Sequence, residues 1–162
     1  MPRLIFDIET VGEDFETLDE MTKEVLTGWI KKEAADERDY DRELTELKEG
    51  LGFSALTGQI VALGVLDDER NEGAVYYQNG IQDKTELNEA GVKYKPSTEA
   101  EMLTKFWELA GGYSEFVSFN GRSFDVPFMM VRSAVHGLRP GKDLMSNRYL
   151  SSQKFSATHI DL

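Results

Sequence analysis

Hydrophobic positions change period several times along the chain, and each change marks an element. Residues 2–7 form an apolar, β-favouring run that predicts a first strand, and the alternation carries on through Asp7, Ile8 and Glu9. A loop follows over 12–15, then Leu18, Met21, Val25 and Trp29 recur at helical spacing and predict a helix to about residue 32. The densely charged stretch 34–50 continues as an exposed helix, with Leu44, Leu47 and Leu51 as its few apolar contacts. Residues 59–66 (QIVALGVL) are almost uninterrupted apolar positions, the pattern of a strand covered on both faces. A polar turn over 67–73 and a strand over 74–78 make a hairpin with it.

Thr98 followed by Glu101 is a capping box, and the helix it opens buries Met102, Leu103, Phe106, Trp107 and Ala110 before Gly111 and Gly112 stop it. EFVSF at 115–119 is a further strand. Residues 120–123 turn into a helix running from about 125 to 136. The remainder, 139–162, is polar and irregular until 157–162, where another strand begins. This order specifies an α/β domain with a mixed sheet.

Composition narrows the class. A chain of 162 residues fits one domain, here 1–162 with a charged helical insertion at about 13–52. No apolar run approaches the roughly 20 residues of a spanning helix, which sets aside a membrane partner. The start lacks a charged-then-apolar leader, so a cytoplasmic location is expected. With no cysteine, any metal must bind through oxygen or imidazole. The net charge of −12 disfavours a broad grip on phosphates, yet leaves room for a nucleic-acid enzyme whose contacts are confined to one cleft.

Two stretches carry candidate chemistry. In the first strand Asp7 and Glu9 share a face, with Phe6 and Ile8 on the other, and two carboxylates aimed together call for a cation. Acid-x-acid triplets are common here, among them Asp67 with Glu69, but only at Asp7 and Glu9 does the strand run straight through the pair. The second stretch is SFNGRSFDVP at 118–127, a strand delivering an Asn-Gly turn and a helix start. Asp125 reads either as a helix N-cap or as a third carboxylate at the end of the sheet. Arg132, two turns on, either contacts a phosphate or pairs with an acid. Phe124 either stacks on a base or joins the core.

IFDIET near the start, with FNGRSFDVP later, resembles the first two motifs of the DEDD (proofreading-type) 3'-5' exonuclease superfamily, in the branch related to the exonuclease domain of family B DNA polymerases. GQIVALGV, FWEL and FMMVRSAVHG agree with it. The resemblance implies a ribonuclease H-like mixed sheet flanked by helices, and phosphodiester hydrolysis with two Mg²⁺ or Mn²⁺ ions. Asp7, Glu9 and Asp125 match the motif acids and so the catalytic and metal-binding positions. Thr10 and Phe124 would flank the 3' end of single-stranded or frayed DNA, and Asn120 would help hold the strand; RNA stays open as a substrate. The family's fourth acid has a tyrosine four residues before it or a histidine five before it. Tyr149, His136 and His159 lack such a partner, and Asp161 in HIDL is a poor stand-in. A carboxy-terminal part missing from the domain, with weak or absent activity, is therefore expected. The alternative is a non-catalytic ribonuclease H-like module that binds nucleic acid or a protein partner, the latter through the acidic segment 33–50.

Overall fold

A computed structural model describes residues 2–80, 85–146, 149–153 and 157–162 of the chain. It divides into two compact units, Met1–Glu9 with Ile60–Leu162, and Thr10–Gln59.

The first unit carries most of a mixed seven-stranded sheet. Its strands are β1 (Arg3–Gly12), β2 (Gly58–Asp67), β3 (Glu72–Tyr77), β4 (Leu87–Glu89), β5 (Val92–Pro96), β6 (Glu115–Ser118) and β7 (Thr158–Asp161). They are ordered β4-β5-β3-β2-β1-β6-β7. β1 and β6 are parallel, as are β6 and β7, while β2 and β3 form the expected antiparallel hairpin. The α/β class with a mixed sheet flanked by helices is thus the one the element order specifies. The β4–β5 hairpin was not legible, because β4 is exposed throughout and its turn, Ala90-Gly91, places an alanine at φ 51°.

The core lies under β1. Leu4, Phe6 and Ile8 are buried, and α4 (Glu99–Ala110) covers them with Met102, Leu103, Phe106, Trp107 and Ala110. Thr98 and Glu101 close the capping box, which fixes where α4 starts. The Phe6 and Phe106 rings meet edge-on at 5.1 Å. Each such fully buried side chain contributes roughly 1.5–3 kcal/mol. Trp107 Nε1 donates to Ser133 Oγ at 2.9 Å, joining α4 to α5 (Asp125–Val135) without leaving a buried donor unpaired. β2 departs from expectation: Ile60, Leu63 and Val65 are buried, but Val61, Ala62, Gly64 and Leu66 remain partly exposed, so the strand is not covered on both faces along its length. Of the irregular stretch expected over 139–162, positions 147–148 and 154–156 lie outside the described residues.

The second unit is helical, with α1 (Glu20–Thr27), α2 (Ile30–Glu33) and α3 (Glu37–Gly50). The single helix expected to residue 32 is broken at Gly28-Trp29. Its apolar stripe also points outward: Met21 and Val25 are about three-quarters exposed, while Thr27 and Ile30 are buried. Spacing located the stripe, but burial fell on the neighbouring face, where Thr27 can satisfy its hydroxyl on Lys23 O at 2.8 Å. α3 has no buried residue, in line with its charge.

Candidate active site

One strand and one helix start carry the candidate acids. Asp7 and Glu9 stand exposed on one face of β1, opposite the buried Phe6 and Ile8. The β1–β6 ladder pairs Arg3, Leu4 and Ile5 with Glu115, Phe116 and Val117 and then stops. Beyond it, the Ile8 amide donates to Asp125 Oδ1 at 3.0 Å. The carboxylate of Asp125 therefore docks on the backbone between Asp7 and Glu9.

Asp125 is not the N-cap of α5. It is the first helical residue, Phe124 occupies the cap position without a side-chain cap bond, and Val126 N reaches Gly121 O at 2.8 Å. Asp125 is only 3% exposed. Burial pushes its carboxyl up to about 6, with help from the negative charges of Asp7 and Asp161, while the Ile8 amide pulls the other way. The rival pair is spent on its own turn. Asp67 accepts from the amides of Glu69 and Arg70 and from the Tyr113 hydroxyl at 2.8 Å, and burial together with that bond raises the Tyr113 phenol to about 12.

The remaining candidates differ in their surroundings. Arg132 is buried and forks onto Glu99, Nε to Oε1 at 2.9 Å and Nη2 to Oε2 at 2.7 Å. Of its two sequence readings the structure has the acid pair, not the phosphate contact. Glu99 also accepts from Ile60 N at 2.8 Å and meets His136 Nε2 at 2.7 Å. Burial opposes ionisation of Glu99, but these partners together hold its carboxyl below the ordinary value. Phe124 is half-buried with its ring 5.5 Å from Phe128, and Asn120 is exposed with a left-handed φ of 55°. Thr10 belongs to the second unit, where its hydroxyl donates to Gly52 O at 2.8 Å.

Sequence reasoning weighed Asp161 and His159 only against the family's fourth acid and its histidine; in the structure they hold the 118–125 turn. Asp161 Oδ1 accepts from the Gly121 amide at 2.8 Å. Arg122 Nη1 donates to Leu144 O at 3.0 Å, and the same carbonyl faces His159 Nδ1 at 3.3 Å. His159 is 1% exposed, and burial keeps its imidazole below the usual range. A neutral ring facing a carbonyl must carry its proton on Nδ1, so Nε2 accepts from Ser118 Oγ at 2.7 Å. Strand alternation in HIDL puts His159 and Asp161 on one face, but nothing local to it tells of the turn they hold.

Among the described residues no three of His, Asp and Glu are gathered closely enough to hold a metal ion, and no helix is long and apolar enough to cross a membrane. Comparison with curated proteins gives no match. A solved structure of the family B DNA polymerase from the hyperthermophilic archaeon Pyrobaculum calidifontis is similar at 14% identity and a TM-score of 0.45, covering 89% of this chain and 12% of that one. The chain thus corresponds to a small part of that polymerase's length. Residues 72–162 match the family described as a predicted 3'-5' exonuclease related to the exonuclease domain of PolB. By that match the chain belongs to this family of predicted PolB-related 3'-5' exonucleases.

Proposed function

We propose that the chain is a metal-dependent 3'-5' exonuclease domain that removes nucleotides from the 3' end of single-stranded or frayed DNA. The observation that carries this reading is the docking of Asp125 on the Ile8 amide, which sets a buried carboxylate between Asp7 and Glu9. The donor set fits a hard divalent cation in kind. It is all carboxylate, in a chain without cysteine, and the charge of Asp7 already weighs on Asp125 in the way a cation relieves. It does not fit as a closed cage, since the acids are not gathered as three.

Asp7, Glu9 and Asp125 would hold two Mg²⁺ or Mn²⁺ ions, which when bound supply an activated water and stabilise the leaving 3' oxygen. The chain's own part is positional. Ile8 fixes Asp125, and the rigid strand keeps Asp7 and Glu9 on one face. Phe124 and the exposed Asn120 offer a ring and an amide beside the Asp125 helix start, toward the terminal nucleotide. Arg132 has no part in the site.

A second reading, a non-catalytic module, draws on the ungathered acids and on α3, which buries no side chain and leaves its charge for a protein partner. Incubating the protein with a 5'-labelled single strand and Mn²⁺ separates them. Ladder-wise shortening from the 3' end that disappears in Asp7→Asn supports the nuclease. Shortening that persists in Asp7→Asn places the activity elsewhere, and an intact strand favours the module.

A further inference from the structure

We propose that Asp161 is a positioning residue for this acidic end of the sheet: from β7 it fixes the turn that delivers Asp125 to β1. The proposal rests on the exonuclease reading for its functional meaning, and on geometry for its substance.

The segment between β6 and α5 has an awkward task. It must leave the sheet at Ser118, reverse, and place Asp125 back against β1 within a few residues. Asn120 takes a left-handed φ of 55° to do so. Gly121 is pressed against the strand it has just left. A Cβ there would sit 2.2 Å from Ser118 Oγ and 2.6 Å from Ser118 Cβ, so only glycine fits. Ser118 Oγ has no freedom to retreat, because it is 3% exposed and bound to His159 Nε2.

A turn this tight needs its amides satisfied from outside, and β7 supplies both acceptors. Ser118 pairs with Asp161 in the parallel β6–β7 register. From that position the Asn120 amide reaches Leu162 O at 3.2 Å and the Gly121 amide reaches Asp161 Oδ1 at 2.8 Å. Gly121 O in turn receives Val126 N, next to Asp125. The chain of support runs from Asp161 to Gly121, to the first turn of α5, to Asp125, to Ile8.

Among the described residues Asp161 Oδ1 has one clear donor in this arrangement. Ser118 also approaches it, at 3.3 Å, but the single hydroxyl hydrogen of Ser118 goes to the nearer His159. What Asp161 supplies to the turn is therefore an acceptor atom at a fixed place, which an uncharged oxygen also provides; its charge reaches Asp125 only as the smallest of the contributions to that carboxyl's raised value. A metal ligand would depend on the charge; a positioning residue depends on the oxygen. Asparagine keeps the oxygen and drops the charge.

The test compares Asp161→Asn and Asp161→Ala by amide hydrogen exchange at Gly121 and Ile8, with amides of the β2–β3 hairpin as the measure of global opening, and by Mn²⁺ titration. In Asp161→Ala we expect Gly121 and Ile8 to exchange about tenfold faster relative to the hairpin, as for a lost buried hydrogen bond. In Asp161→Asn both amides stay protected and Mn²⁺ affinity stays near wild type. The proposal is overturned if both variants keep native exchange, or if Asp161→Asn loses Mn²⁺ binding as fully as Asp161→Ala while its amides stay protected. Should Asp161→Ala not fold, protection of Gly121 in Asp161→Asn decides alone. Should wild type bind no Mn²⁺, the exonuclease reading fails, and the exchange data still decide on Asp161.

Discussion

Asp125 Oδ1 accepts the Ile8 amide at 3.0 Å, across 117 positions of sequence. A helix-starting carboxylate thereby replaces β6 as the partner of β1 just where the ladder ends. The bond needs an acceptor, whereas a cation site needs a charge, and these two demands diverge in their consequences.

Asp125→Asn keeps the acceptor and removes the buried charge. Because the folded carboxyl is raised from 3.8 to about 6, wild type is penalised above pH 6 and unpenalised below about pH 4, where folded and unfolded forms are both protonated. The Asn variant should therefore be more stable than wild type at pH 8, by about 2–3 kcal/mol, and equal to it near pH 3.5. Asp125→Ala also removes the charge but orphans the Ile8 amide, and should lie about 1–3 kcal/mol below Asp125→Asn at both values. Urea unfolding at the two pH values checks both.

On the exonuclease reading, protons and cations would compete for Asp125. Mn²⁺ affinity should hold between pH 7 and 8 and weaken as pH falls through about 6, approaching tenfold per pH unit below it. Titration followed by electron paramagnetic resonance reads this directly; a flat profile between pH 5 and 7.5 would take Asp125 out of the site.

Glu99 ties β2, α4 and α5 together through Ile60, Arg132 and His136. Glu99→Gln strands a buried guanidinium and should cost about 3–5 kcal/mol, much of which Glu99→Gln with Arg132→Met should recover. The sign with pH opposes that of Asp125. The folded Glu99 carboxyl lies below its ordinary 4.5, so its stabilisation is present above that value and is lost as pH falls through the lower folded one. Denaturation midpoints between pH 3 and 5 report it.

Gly121→Ala forces a methyl to 2.2 Å from Ser118 Oγ. A loss of about 2–3 kcal/mol is expected, as for overpacking of a rigid site. Ser118→Gly removes both clashing atoms together with the donor to His159 Nε2, so the double variant should lose less than the sum of the two single losses. Thermal unfolding decides; a fully native Gly121→Ala would mean that the turn yields.

Local rules fixed a good part of this. The capping box at Thr98, the apolar face of α4, the strand through Asp7 and Glu9 and the β2–β3 hairpin are each written in neighbouring residues, because propensity, capping and alternation act over a few positions. Where local rules left two readings open, long-range partners chose. Asp125 had the residue type and place of a cap, yet its acceptor went to Ile8. Arg132 went to Glu99 because a buried guanidinium needs a buried carboxylate. The stripe of Met21 and Val25 was periodic and still faced outward, since period locates a face without saying which face is covered. Even the two acids of β1 were determined only as a pair on one face; that Asp125 reaches the Ile8 amide, from a turn that β7 anchors, depended on strand order and register, which no stretch of sequence contains.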